Sequence, residues 1–137
     1  MIGTPQHIYA TLSVDETVTA LVSDRIYPQR RAEGATIPCV VYSVISVQPA
    51  RQFAGPWQSE WERVQVDCYA PTYAAAATLA STVDTVLETA PATTYGSLQV
   101  GAMRRISGHE KDIDHVDGSD RAIHVVHTDY LSTVRKV

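Results

Sequence analysis

Imidazole and carboxylate side chains are densest between Ser107 and Asp120, a stretch holding His109, His115, Glu110, Asp112, Asp114, Asp117 and Asp120. Oxygen and nitrogen donors in such numbers are able to ligate a divalent cation. The spacing departs from a calcium loop, because Val116 follows Asp112 and Asp114 where an oxygen ligand belongs. The helix-borne histidine pair of a zinc hydrolase is also missing. The stretch therefore reads as a solvated acidic hairpin loop, with Asp117 and Gly118 supplying its turn.

Other reactive side chains are no better placed. His124 and His127 fall on an expected strand three residues apart, so they project to opposite faces and cannot share a metal. No serine lies in a Gly-x-Ser-x-Gly context, and neither cysteine has a basic neighbour in sequence. Gly96, Gly101 and Gly108 are isolated and form no phosphate loop. Cys39 and Cys68 match no zinc or redox spacing and read as small buried hydrophobes, a thiol pair rather than a disulfide. The expectation is a protein without catalytic residues, metal or cofactor.

The elements that would position these groups are clearer. Pro5 to Ser23 reads as a helical region in two pieces. Thr4 is the expected cap with Pro5 in the first turn, and a Ser13/Glu16 capping box opens the second piece. Val14, Val18, Leu21 and Val22 form its apolar stripe. Cys39 to Val47 is apolar on both faces, which predicts cover on both sides. From Arg63, apolar Val64, Val66 and Cys68 alternate with polar neighbours. Thr72 then caps an Ala-rich helix with Ala76, Leu79, Ala80, Val83, Val86 and Leu87 on one side, ended by Pro91. Leu98 to Ile106 and Arg121 to Val134 are the last expected strands. The resulting expectation is a single α+β domain over residues 1–137, with order α-β-β-α-β-β. Its four-stranded, mainly antiparallel sheet is packed by two helical segments.

Composition narrows the functional classes. Net charge is -4, which disfavours a general nucleic-acid binder. Lysine occurs only at Lys111 and Lys136, so nearly every cation is an arginine. That bias has two readings, a genomic preference or a surface built for interfacial pairing. No apolar run approaches the ~20 residues of a membrane span, and the N-terminus lacks the regions of a signal peptide. The expectation is a soluble protein without membrane contact. The segment Pro49 to Ser59 is long for a hairpin loop and carries Phe53 and Trp57, which either lid the core or face a partner.

Three segments, taken in order, carry a family resemblance: Asp24-Arg25-Ile26-Tyr27-Pro28 after the first helices, the strand after Pro38, and Val64 to Tyr73 with its Ala-rich helix. A late acidic hairpin leads into the strand Ile123 to Tyr130. In this arrangement the chain resembles the tail-completion (tail-terminator) proteins of long-tailed bacteriophages. The resemblance implies a structural protein that forms a ring, commonly a hexamer, on the head-proximal end of the tail tube. There it would stop tube polymerisation and join the head connector, with DNA passing only through the lumen. Its partners would be copies of itself, the tail tube protein and the connector, in a virion neck assembled in the host cytoplasm. On this reading Arg25, Arg30 and Arg31 meet Asp112, Asp114 and Asp117 of a neighbouring copy, while Phe53 and Trp57 contact the tube or connector. Two alternatives stand beside it: a head-closure or connector protein of the same neck, and a small non-phage α+β ligand-binding or metal-binding domain.

Overall fold

The computed structural model describes residues 2–30, 36–50, 59–115 and 122–137, with backbone alone at Asp114 and His115. Three helices occur among them: α1 (Thr4–Ser13), α2 (Glu16–Val22) and α3 (Tyr73–Thr89). The strands are β1 (Ile26–Pro28), β2 (Cys39–Pro49), β3 (Ser59–Ala70), β4 (Thr93–Tyr95), β5 (Leu98–Val100), β6 (Arg104–Arg105), β7 (Glu110–His115) and β8 (Ala122–Lys136). All eight belong to one sheet of order β1-β2-β3-β8-β5-β4, with β6 and β7 also paired to β8.

This overturns the expected four-stranded antiparallel sheet packed by two helical segments. The sheet is mixed, because β1 runs parallel to β2 while the other pairs are antiparallel. The additional strands are mostly two or three residues long, too short for an alternation of side chains to show. The expected Leu98 to Ile106 strand is broken at Gly101 into β5 and β6, both held by different parts of β8. Much of the acidic stretch read as a loop is strand β7, paired from Glu110↔His127 to His115↔Ala122. Charged side chains do not prevent pairing when a long neighbouring strand offers free peptide groups.

The long strands follow the pattern of their residues. Val64, Val66 and Cys68 on β3 lie opposite Val44, Tyr42 and Val40 on β2, and opposite Tyr130, Thr128 and Val126 on β8. This face carries the core, against Ile8 and Leu12 of α1, Val18 and Val22 of α2, and Leu79, Val83 and Leu87 of α3. Burying each such aliphatic side chain contributes about 1.5–3 kcal/mol. The α3 stripe is as expected, and Thr72 Oγ1 accepts from the Ala75 amide at 3.1 Å. The α2 stripe is narrower than expected, since Val14 is 78% and Leu21 37% exposed. The double-sided apolarity of β2 also divides along its length. Cys39 to Tyr42 are buried, whereas Ile45, in a bulge between Val44 and Ser46, and Val47 just beyond it are exposed.

Both N-terminal caps differ from expectation. Thr4 is the first residue of α1 rather than its cap, and α2 is capped by Asp15, whose carboxylate accepts from the Thr17 and Val18 amides, instead of a Ser13/Glu16 box. The start of α1 is satisfied from a distance by Glu62 on β3, which accepts from the amides of Gly3 and Thr4 and from Thr4 Oγ1. Gly3 permits that approach: a Cβ there would lie 3.0 Å from Val100 Cγ2 and 3.2 Å from Val134 Cγ1.

Candidate assembly surfaces

The described side chains do not converge on a reactive centre. Cys68 is buried at the core face, and burial pushes its thiol pKa up, the reverse of an activated nucleophile. Cys39 lies on the neighbouring strand but on the opposite face, being paired with Tyr69 while Cys68 pairs with Val40. Among the described residues no three His, Cys, Asp or Glu side chains are grouped to hold a metal ion. His109 is engaged on both ring nitrogens, with Arg105 Nη1 at 2.6 Å and Thr128 Oγ1 at 3.1 Å. No helix among the described residues is long and apolar enough to cross a membrane.

The sheet face turned away from the helices carries a polar cluster. His127 Nδ1 lies 2.6 Å from Asp67 Oδ1 and 3.0 Å from Gln65 Nε2, while its Nε2 is 3.8 Å from Asp112 Oδ2. Arg63 Nε donates to Asp129 at 3.1 Å nearby. His124, three residues before His127, faces the helix side, where it shares a cleft with Tyr73 and Lys111. The two histidines therefore point apart, as their spacing predicts. A surface ion pair such as Arg63–Asp129 contributes under about 1 kcal/mol, so the cluster shapes a surface more than it stabilises the fold.

Of the charged residues expected at a subunit interface, Arg25, Arg30 and Asp112 are described, and they lie at the two margins of this sheet. Just before β1, Arg25 Nε donates to the Pro38 carbonyl at 2.8 Å, and exposed Arg30 lies two residues beyond the strand. On β7, Glu110 and Asp112 are exposed, with the Asp112 side chain at 69%. Paired residues link the two margins in continuous rows, such as Tyr27–Val41–Asp67–His127–Glu110. Arg25 and Arg30 thus stand at one edge of the sheet and Asp112 at the opposite edge. Arg31, Phe53, Trp57 and Asp117 lie outside the described residues, as does the Asp114 side chain.

Sequence reasoning missed two features. Glu62 is fully buried, and its signal was the phase of β3: it falls in step with Val64, Val66 and Cys68, on the core face. Trp61 lies on the other face and is 43% exposed, next to the Ile45/Val47 segment of β2. A further cleft of about 620 Å³ runs between α1, the end of α3 and β4, lined by His7, Val14, Val86, Pro91 and Tyr95 among others.

Comparison with known proteins decides what such surfaces belong to. The profile of the family described as Tail completion protein gp17 matches residues 6–126. The chain belongs to the tail completion protein family. It is accordingly a structural protein of phage tail completion, in a family that is structural rather than enzymatic. Among solved structures, the chain is similar to one from the virion of a native gene transfer agent particle. That match has a TM-score of 0.65 at 15% identity, over 93% of this chain and 91% of the other. A second solved chain matches with a TM-score of 0.51 at 16% identity, over 95% and 96% of the two chains. At these identities the likeness establishes a shared fold. No curated protein sequence matches the chain.

Proposed function

We propose that this protein terminates the tail: it forms a ring on the head-proximal end of the tail tube, stops tube polymerisation and provides the joint to the head connector. The observation that carries this reading is the family match across residues 6–126, which runs from the first turn of α1 into the first third of β8. The similar fold within a gene transfer agent virion supports a place in an assembled particle. The role needs interfaces and no reaction, in keeping with a buried Cys68 thiol and with charged and apolar groups displayed at the sheet margins. The partners are copies of the chain, commonly six, the tube protein and the connector. DNA passes through the lumen, and a net charge of -4 lets it slide without adhering. Assembly takes place in the host cytoplasm, and the finished ring resides in the virion neck.

Within this reading Arg25, Arg30 and Arg31 form one side of the subunit contact, and Asp112, Asp114 and Asp117 the other. Phe53 and Trp57, in the segment joining β2 to β3, reach the tube or connector. Electron microscopy of a lysate from the source phage or prophage with the gene deleted tests the function. Filled heads beside separate, sometimes overlong tails are expected. Intact infectious particles would refute a terminating role.

A further inference from the structure

Among the described residues the second half of β2 leaves a long stretch of strand edge unpaired. β1 covers β2 only from Val40 to Tyr42, and among the described residues no strand pairs with the same side of β2 from Ser43 to Pro49. Gln29 donates to the Tyr42 carbonyl and Ala50 to the Ser59 carbonyl. With the intervening bulge, this alternation turns the peptide groups of Val44 and Val47 outward, away from β3. The segment carries no charge, and Ile45 and Val47 are 47% and 37% exposed. Protein sheets normally blunt such an edge with lysine, proline or a covering element; among the described residues Pro49 and the bulge serve here.

The outer side of β1 is closed by contrast. The Ile26 amide donates to the Asp24 carbonyl, Pro28 has no N–H, and its carbonyl accepts from the Arg30 amide. Exposed Arg30 therefore stands at the corner where β1 stops and the open edge of β2 begins.

At the far margin of the same sheet, β7 has β8 on one side and no described strand on the other. It is six residues long, close in length to the open run of β2. Glu110, Asp112 and Asp114 outnumber Lys111, and Ile113 is 54% exposed. One edge is thus neutral and apolar with a cation at its head; the other is acidic with one exposed aliphatic residue.

We infer that the open edge of β2 takes up β7 of a second copy as an added strand, with Arg30 against the acids of that strand and Ile113 against Val44 and Val47. Main-chain hydrogen bonds supply the affinity of such strand addition, and the flanking side chains set its register. Each copy then uses two different edges, so the contact is head to tail and propagates until it closes on itself. This names the contact within the ring proposed above and rests on that reading.

The test is native mass spectrometry of the purified full chain over a range of concentrations, with circular dichroism to verify folding. Val47→Pro removes an outward N–H and the side chain placed against Ile113, at an edge position where proline is tolerated. It should abolish the oligomer in a folded chain. Arg30→Glu should weaken assembly about tenfold or more, the scale of a close interfacial charge pair, and Arg30→Glu with Asp112→Arg should restore it. An unfolded chain would not show that restoration. A folded Val47→Pro chain with the wild-type oligomer overturns the inference, as does a wild-type chain that stays monomeric at its highest soluble concentration. Tail length after gene deletion reports on the terminating role separately, so failure of one leaves the other visible.

Discussion

Glu62 and Thr4, 58 residues apart in sequence, join the middle of the sheet to the first turn of the protein: the Thr4 amide donates to Glu62 Oε1 at 3.1 Å, and the Thr4 hydroxyl donates to the same oxygen. The Gly3 amide donates to the same carboxylate at 3.2 Å. A helix start leaves amides without intrahelical partners and carries a partial positive charge, so a carboxylate suits it. Both Glu62 and Thr4 are fully buried, which makes the contact a structural pin.

Removing that carboxylate leaves buried donors unsatisfied. Glu62→Ala is expected to lower unfolding free energy by about 2–4 kcal/mol, and Glu62→Gln by about half as much, since the amide oxygen still accepts. Urea denaturation measures both. Equal midpoints for wild type and Glu62→Ala would refute the pin.

His7 gives stability a pH dependence of known sign. Its Nδ1 lies 2.9 Å from the Tyr95 hydroxyl, and burial lowers its pKa from 6.5. The unfolded chain therefore takes up this proton first as pH falls. His7 favours folding above about pH 6.5, and the contribution is lost as pH drops towards the folded value. Denaturation midpoints at pH 7.5 and 5.5 should differ less in His7→Gln than in wild type.

Tyr130 is the largest fully buried side chain among the described residues, and its hydroxyl donates to Asp84 Oδ1 of α3 at 2.9 Å. Burial, reinforced by the Asp84 carboxylate, pushes its pKa up, so the ring stays neutral. Tyr130→Phe keeps the packing and loses one hydrogen bond, a cost of about 1 kcal/mol by thermal denaturation. Arg105 still pairs with Asp84 at 3.4 Å, so α3 should remain docked.

Trp57 tests the role of the segment between β2 and β3. Trp57→Ala should reduce the yield of joined particles in a complementation assay while circular dichroism of the purified chain stays unchanged. Loss of the folded signal would assign the ring to the core instead.

Much of the framework was legible in the residues. The β3 alternation at Val64, Val66 and Cys68 and the 3.6-residue repeat of α3 each span several periods, long enough to carry their own signal. The acidic stretch was misread because Glu110, Lys111 and Asp112 show no alternation; they form a strand because β8 lies beside them. The local caps were misread for a similar reason. Asp15 competed with Ser13 over two residues, and Glu62 replaced Thr4 from far along the chain.

The ordered motifs from Asp24 to Tyr130 determined the family expectation, and side-chain periodicity determined which residues line the core, because both depend on short-range order along the chain. Tertiary structure alone decided the edges: that β1 stops at Pro28, that no described strand covers β2 from there to Pro49, and that Arg30 and Asp112 stand at opposite margins of one sheet. A strand's own residues do not state which neighbour it pairs with. That choice rests on hydrogen bonds between segments distant in sequence, and it governs what the protein has left to offer a partner.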